Sequence, residues 1–222
     1  MDIFEAMKNR HSVRRYTDRK IEGETLEALM QELNTCNSEG NLNIQLCLEE
    51  PAAFASGFMK YGAFRNVQNY IALVGPDDVS LPEKGGYYGE RIVLRAQQLG
   101  LNTCWVAATF SKKSCTAKVS HGEKLLMVIA IGYGENQGTP HKSRNLEKLC
   151  QYDGEMPSWF KSAMEAVSLA PTAINQQKFH FVLRGDRVKA IAGGGVHTET
   201  DLGIAKYHFE LGAGEADWSW IE

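Results

Sequence analysis

The stretch Arg10-His11-Ser12-Val13-Arg14-Arg15-Tyr16 decides how the rest of this chain is interpreted. It follows residues 1–9, in which Ile3, Phe4 and Met7 fall on one helical face. Arginine presents a rigid planar fork of donors that matches a phosphate, and serine adds a hydroxyl donor. Positive charge also complements the C-terminal end of a helix dipole on an ordinary solvated surface. The stretch is therefore either a phosphate cradle or a basic surface, and the rest of the chain has to decide.

The composition is that of an ordinary folded protein: of 222 residues, 43% are hydrophobic and 23% charged, with a formal net charge of −3. This length allows one large domain or two small ones. The charge argues against a nucleic-acid or membrane partner, and the longest apolar runs, such as residues 125–131, are strand-sized. Five cysteines without a Cys-x-x-Cys pair argue against a disulfide framework and a zinc site. We expect a reduced, soluble, cytoplasmic protein that has no signal peptide and acts on a small molecule.

Hydrophobic periodicity predicts both helices and strands along the chain. Apolar residues at spacings of three and four predict helices over residues 24–33, 87–99, 158–168 and 200–213. Alternating or continuous apolar runs predict strands over residues 43–48, 70–74, 125–131 and 179–183. Polar or glycine-rich runs predict loops over residues 34–41, 79–86, 139–148 and 193–195. Residues 101–110 carry small side chains where the backbone could approach a flat ligand, and residues 51–65 follow no firm period.

The chain contains a weak internal repeat, because a helix–loop–strand pattern starts again near residues 151–157. The two late helices can be laid over one another: Gly86, Leu94 and Ala96 match Gly203, Leu211 and Ala213 at a constant offset of 117 residues. We therefore predict two related halves, residues 1–150 and residues 151–222. The second half is truncated, and the two share one core.

Four segments resemble the FMN-dependent nitroreductase family. They are Arg10-His11-Ser12-x-Arg14, the run from Gly100-Leu101 through Trp105-Val106-Ala107-Ala108 to Phe110, Lys142-Ser143-Arg144, and Ala170-Pro171-Thr172-Ala173-x-Asn175-x-Gln177. In that family the first and third segments hold the flavin phosphate, the second passes the isoalloxazine ring, and the fourth reaches the flavin from the opposite protomer. The resemblance implies an α+β, nitroreductase-like fold, with a mostly antiparallel central sheet flanked by helices.

The chain departs from the family pattern in an informative way. Ordinary members carry the Ala-Pro-Ser segment between the first amphipathic helix and the first strand, whereas this chain carries it in the second half. The second half has no Arg-x-Ser-x-Arg of its own. The resemblance thus implies a pseudo-dimeric single chain with one flavin site, as a monomer or a homodimer. Lys178-Phe179 replaces the family's Pro-Trp, and Ala107 stands where many members have Glu or Gly.

The resemblance also assigns candidate FMN-binding residues. Those expected at the phosphate are Arg10, His11, Ser12, Arg14, Lys142 and Arg144, and those expected nearer the ring are Val106, Ala107, Ala108, Pro171, Thr172 and Asn175. His11 could instead cap a helix end, Pro171 and Thr172 could simply start a turn, and the small residues could mark a buried strand end. Trp105 is expected in the core and Cys104 as an inert buried thiol. No side chain is assigned as catalytic and no metal is expected, since the histidines are scattered.

The resemblance implies an FMN-dependent oxidoreductase that takes electrons from NADH or NADPH and passes them through the flavin to nitroaromatic or quinone-like acceptors. The flavin would carry the chemistry, and the protein would bind and orient it. Two other classes stay open: a non-enzymatic flavin-binding or sensing module, and a flavin-free nitroreductase-like interaction protein.

Overall fold

A computed structural model of the chain describes residues 1–55 and 64–221, and part of the stretch 51–65 lies outside them. The chain forms two compact units. The first unit comprises Met1–Leu81 and Arg91–Pro140, and the second comprises Pro82–Glu90 and His141–Glu222. Within the described residues, no helix is both long enough and apolar enough to cross a bilayer.

Residues 1–55 and 64–221 form five α-helices and eight strands. The helices are α1 Ile3–Asn9, α2 Gly23–Gly40, α3 Leu81–Gln98, α4 Ser158–Val167 and α5 Thr198–Ala213. The strands are β1 Gln45–Cys47, β2 Asn69–Pro76, β3 Asn102–Val106, β4 Glu123–Gly132, β5 Cys150–Gln151, β6 Phe179–Arg184, β7 Arg187–Ala192 and β8 Ser219–Trp220. Short 3₁₀ turns lie at Pro51–Phe54, Lys112–Ser114, Leu146–Lys148 and Ala173–Asn175.

The first unit contains a four-stranded antiparallel sheet in the order β1-β2-β4-β3. Its two inner strands, β2 and β4, are continuous apolar runs, which is why they are buried over most of their length. Behind one face lies a core that includes Val13, Tyr16 and Tyr70. The Tyr16 hydroxyl donates to the Val13 carbonyl at 2.7 Å, and burial raises the pKa of this phenol well above its usual range. The sequence just after α1 is therefore anchored in the core.

The second unit contains a sheet in the order β5-β6-β7-β8. Strands β6 and β7 form an antiparallel hairpin, whereas β5 and β8 add in parallel at the two edges. Helices α4 and α5 pack together in this unit around an aromatic cluster. The Phe181 and Phe209 rings are stacked at 5.1 Å, and the Trp218 and Trp220 rings meet edge to face at 4.8 Å. This cluster anchors the C-terminal strand, which is too short to be stable alone.

The N-terminal half of α3 crosses α5 within the second unit at two glycines. A Cβ at Gly86 would overlap the backbone carbonyl of Thr200, and a Cβ at Gly203 would overlap that of Glu83. Neither position can carry a side chain without separating the helices. Near this crossing, His208 is fully buried between two acceptors, the Glu90 carboxylate at 3.0 Å and the Ala166 carbonyl at 3.0 Å.

The fold class is confirmed, since the chain is α+β and six strands pair mainly in antiparallel ladders. The helices predicted at residues 158–168 and 200–213 and the strands at 70–74, 125–131 and 179–183 are confirmed with small changes of boundary. The division at residue 150 and the duplication stay predictions.

Several boundaries predicted from the sequence are wrong. Helix α2 continues to Gly40, through the predicted loop 34–41, because Cys36 is buried and the Asn37 amide bonds both backbone groups of Ile44. Helix α3 begins at Leu81 instead of residue 87, so the predicted loop 79–86 is mostly helical. Strand β1 is shorter than predicted, and strands β5, β7 and β8 were missed. The signal for β7 was Gly185-Asp186, a two-residue hairpin turn between two runs of strand-forming residues.

Candidate functional site

The basic stretch at Arg10 begins where α1 ends. The Arg10 N–H caps this helix by donating to the Ala6 carbonyl at 2.9 Å, and Arg10 itself is extended. The chain then runs beside β3, with Ser12 paired in parallel with Thr103 and the Val13 N–H donating to the Thr103 carbonyl at 3.0 Å. Because side chains alternate along extended backbone, Arg10, Ser12 and Arg14 lie on the same side.

Each of these three residues acts electrostatically on the thiol of Cys104, a residue of β3. Burial raises the pKa of Cys104, while the Arg14 charge, a hydrogen bond with Ser12 and the Arg10 charge each act to lower it. Arg10 and Cys104 are buried, at 3% and 2% exposed, whereas Arg14 is exposed. Two guanidiniums and a hydroxyl on one side of the chain form the donor set that a phosphate requires. The residues therefore fit the phosphate of FMN, and Cys104 is a buried thiol as expected.

His11 lies on the opposite side of the same extended stretch. It packs against the 134–138 loop, where a Cβ at Gly138 would lie 2.7 Å from the His11 Cβ, and Gly138 has a φ of +75°. The C-cap residue of α1 is Arg10, and the role of His11 stays a prediction.

Val106, Ala107 and Ala108 lie where β3 leaves the sheet. Val106 is the last residue of the strand and is buried, Ala107 is half-buried and Ala108 is exposed. The small side chains thus mark a strand end that emerges at the protein surface. Whether their backbone meets a flat ligand stays a prediction. Trp105, half-buried and paired with Ile129, belongs to the sheet.

The second unit holds an open cavity of about 620 Å³ that is strongly basic. Its lining residues are Lys142, Ser143, Arg144, Asn145, Lys148, Asn175 and Gln177. Three of these side chains carry a positive charge, and the others offer hydroxyl or amide groups. Asn175, which lies 33 positions after Lys142 in the sequence, is thus brought beside Lys142 and Arg144. This cavity suits an anionic ligand.

The segment after Pro171 forms a tight turn beside that cavity. Pro171 and Thr172 are half-buried, the Thr172 hydroxyl accepts from the Gln177 N–H at 3.1 Å, and the Thr172 carbonyl accepts from the Asn175 N–H at 3.0 Å. Ile174, Asn175 and Gln177 all adopt left-handed backbone conformations, with φ of 48°, 55° and 44°. Such a conformation is rare for a β-branched residue such as Ile174, and backbone strain of this kind concentrates at functional sites.

Asn175 is turned toward the 142–144 loop. Its Nδ2 donates to the Lys142 carbonyl at 3.0 Å, and its Oδ1 accepts from the Gln177 amide at 2.8 Å. Gln177, which was not among the predicted site residues, forms hydrogen bonds with the backbone of Lys142 and Arg144 in the same loop. Its signal in the sequence was the last position of the Ala-Pro-Thr segment, but its role became visible only from the fold.

The predicted site residues therefore fall into two groups. The first unit holds Arg10, His11, Ser12, Arg14, Val106, Ala107 and Ala108, and the second holds Lys142, Arg144, Pro171, Thr172 and Asn175. Within residues 1–55 and 64–221, no group of three or more His, Cys, Asp or Glu side chains is placed to hold a metal ion.

The fold and the candidate site define this chain as an α+β protein that presents two basic donor sets. The particular family is defined by its sequence model, described as "Putative TM nitroreductase", which matches residues 2–213. This chain belongs to that nitroreductase family. No curated protein matches the chain.

Solved structures show the same fold. One, described as a "putative nitroreductase" from Thermotoga maritima, is 23% identical with a TM-score of 0.64, over 95% of this chain and 83% of that chain. Another, described as a "putative nitroreductase in complex with FMN" from Desulfovibrio desulfuricans, is 15% identical with a TM-score of 0.53, over 71% of this chain and 99% of that chain. A "putative NADH oxidase" from Clostridium acetobutylicum is 23% identical with a TM-score of 0.51, over 67% and 97% of the two chains. The predicted nitroreductase-like fold is confirmed.

Proposed function

We propose that the protein is an FMN-dependent oxidoreductase that passes electrons from NADH or NADPH, through the flavin, to nitroaromatic or quinone-like acceptors. Membership of the nitroreductase family supports an oxidoreductase. The likeness in fold to the Desulfovibrio desulfuricans protein, whose structure is described as a complex with FMN, supports the choice of cofactor. Bound FMN would supply the redox chemistry, and the residues of this chain would bind and orient it.

The observation that carries this proposal is the alternation of Arg10, Ser12 and Arg14 along the extended stretch after α1, which directs the three side chains to one side of the chain. Charge-assisted hydrogen bonds from guanidinium to phosphate are about twice as strong as neutral ones, and the planar fork also fixes the orientation of the phosphate. An ordinary solvated surface would not place one of the two arginines at 3% exposure. His11, on the opposite side of the stretch, is proposed as a neighbour of this cradle.

The remaining candidates are proposed to act in binding and not in bond making. Lys142 and Arg144 offer two more positive charges for an anionic group, and Asn175, Pro171 and Thr172 shape the turn beside them. Backbone N–H groups of residues 106–108 would face the flavin ring where β3 ends.

Flavin binding is tested by the visible spectrum of the purified protein. We expect a yellow protein, and we expect Arg14→Ala to weaken FMN binding between about 10-fold and 100-fold, because hydrogen bonds to charged groups contribute about 1.5–3 kcal/mol. Arg15→Ala is the matched control. It removes the same charge from the next residue, which is exposed and does not act on Cys104. A colourless wild-type protein to which added FMN does not bind would contradict the proposal and favour an interaction protein.

Reductase activity is tested by mixing the FMN-loaded protein with NADH or NADPH without oxygen. We expect the flavin absorbance near its visible maximum to bleach with one of the two nucleotides, and to return when a quinone or nitroaromatic is added. A flavin that binds but does not bleach with either nucleotide would refute the enzyme and favour a flavin-binding or sensing module.

A further inference from the structure

Gln177 is a buried polar side chain whose amide is fully used. It is 3% exposed. Its Oε1 accepts from the Arg144 N–H at 2.8 Å, while its Nε2 donates to the Lys142 carbonyl at 3.0 Å and to the Asn175 side-chain oxygen at 2.8 Å. A backbone N–H can only donate and a carbonyl can only accept, so these partners fix which end of the amide is oxygen. Gln177 therefore has one defined orientation.

The two backbone partners of Gln177 belong to alternate residues of one loop. Residues 141–145 form no helix or strand, so the loop has no regular backbone ladder to hold it. Gln177 supplies backbone hydrogen bonds at Lys142 and Arg144 instead. Between them, the Ser143 hydroxyl donates to the Ser168 carbonyl at 2.7 Å. Three consecutive residues of the loop are thus held by hydrogen bonds, and the side chains of Lys142 and Arg144 line the cavity.

Among the natural side chains, only glutamine satisfies both requirements at this length. Glutamate would keep the acceptor for the Arg144 N–H, but it would lose the donor to the Lys142 carbonyl and place a negative charge beside the cavity. Methionine has a similar volume but offers neither group, so it would leave a buried donor and acceptor unsatisfied. The neighbouring Gln176 makes a useful contrast, because its amide donates to Val196 and Asp201 and makes none of these contacts with the loop.

We propose that Gln177 is a positioning residue that holds Lys142 and Arg144 in the geometry needed to bind the flavin phosphate. It acts through the 142–144 loop, because its amide is already bonded to the backbone of that loop and to Asn175. This inference rests on the proposed function, because it takes FMN as the ligand of these basic residues. A misplacement of about 1 Å in groups of this kind is sufficient to cost one to two orders of magnitude in binding or rate.

The test compares FMN with riboflavin, which has the same ring and ribityl chain but no phosphate. Dissociation constants of both flavins are measured by fluorescence quenching on the full-length, flavin-depleted chain. We expect the wild type to prefer FMN by about 100-fold. In Gln177→Met we expect FMN binding to weaken by about tenfold and riboflavin binding to change by less than about twofold. An equal loss for both flavins would mean a merely structural role and would overturn the proposal, as would no loss for FMN.

Two further variants make the test specific. Gln151→Met makes the same change at an exposed residue of β5 that does not line the cavity, and it should leave the ratio of the two dissociation constants as in the wild type. A ratio reduced as much as in Gln177→Met would overturn the proposal. In a Lys142→Met background, Gln177→Met should lose much of its effect on FMN, because the two residues act through one contact. Fully additive losses would contradict a role exerted through Lys142.

Gln177→Glu tests the same positioning role if the Gln177→Met variant fails to fold. It preserves the bond from Arg144, so it should fold, and it should weaken FMN more than riboflavin. An unchanged preference for FMN in this variant would overturn the positioning role alone. A wild-type protein that binds FMN and riboflavin equally would instead overturn the assignment of the phosphate site, and with it the proposed function of these residues.

Discussion

Asp201 is a buried carboxylate that holds the turn carrying Asn175 and Gln177. It is 3% exposed, and it accepts from the Ala173 N–H at 2.9 Å and from the Gln176 amide at 2.8 Å. Burial raises its pKa above the ordinary value of 3.8, although both hydrogen bonds and the nearby His197 act in the opposite direction. Ionising the Asp201 carboxyl group therefore costs more free energy in the folded protein than in the unfolded chain.

This cost predicts a pH dependence of stability with a defined sign. Because the folded pKa is raised, the contribution of Asp201 to stability is fully present below pH 3.8 and declines as the pH rises through the folded pKa. We expect the free energy of unfolding of the wild type, minus that of Asp201→Asn, to fall as the pH rises above about 4. Urea unfolding at several pH values measures the free energy of unfolding of the wild type and of Asp201→Asn. Parallel curves for the two proteins would show that Asp201 does not titrate differently in the folded state.

Single residues also show what the sequence can and cannot predict about the site. The alternation of Arg10, Ser12 and Arg14 is a local pattern, so it could be predicted from chain order alone that the three side chains share one side; their binding of a phosphate stays a prediction. The contacts of Gln177 with Lys142 and Arg144 join residues more than 30 positions apart. A local sequence pattern spans too few residues to reveal these contacts. In addition, glutamine as a residue type does not indicate the left-handed conformation that Gln177 adopts. The loop that carries the basic residues was therefore predicted, but the group that fixes it was not.

At the scale of elements, helix α3 shows why a prediction from residue preference failed. Its first turns contain Pro82, Gly85 and Gly86, which are typical of a loop. Proline is tolerated in the first turn of a helix because its missing N–H would have no intrahelical partner there. Gly86 lies inside the helix because α5 approaches too closely for any side chain. Packing thus overrides helix propensity at this position, and packing cannot be read from the α3 sequence by itself.

The close approach predicts a large effect for a small substitution. In Gly86→Ala, the new methyl group would overlap the Thr200 carbonyl, so the helices must separate and lose contacts. We expect the free energy of unfolding to fall by about 3 kcal/mol, at the upper end of the usual cost of overpacking. Gly194→Ala is the control, because a Cβ there meets no atom within 4 Å; it should change stability by less than about 0.5 kcal/mol. Urea unfolding that finds similar stabilities for both variants would contradict this packing argument.

At the scale of the whole molecule, the same glycines bear on the predicted duplication. Gly86 faces Thr200 and Ile204, and Gly203 faces Glu83 and Tyr87. Each glycine therefore meets the residues three positions before and one position after the other glycine. Elements related by a two-fold axis exchange contacts in this reciprocal way. Because Gly86 and Gly203 are the residues matched at the offset of 117, this geometry supports two related halves, although the duplication stays a prediction.

A duplicated chain that has diverged should bind one flavin where two equal halves would bind two. The sequence contains Arg-x-Ser-x-Arg once, at Arg10, and the Ala-Pro-Thr segment once, at Ala170. We therefore predict one FMN per chain, measured as flavin absorbance against protein concentration in fractions whose mass is determined by sedimentation. Two flavins per chain would mean that each half retained a site.

The same reasoning makes Asn175→Ala a test of whether the chain binds flavin by itself. The substitution removes the amide that bonds the Lys142 carbonyl and the Gln177 side chain, so the basic loop loses part of its support. We expect FMN binding to weaken by about tenfold, as for the loss of one hydrogen bond to a buried polar group. The effect should be present in monomeric fractions and independent of protein concentration. If it is confined to dimers, Asn175 completes a site on a second copy of the chain, as in the ordinary family members that the sequence resembles.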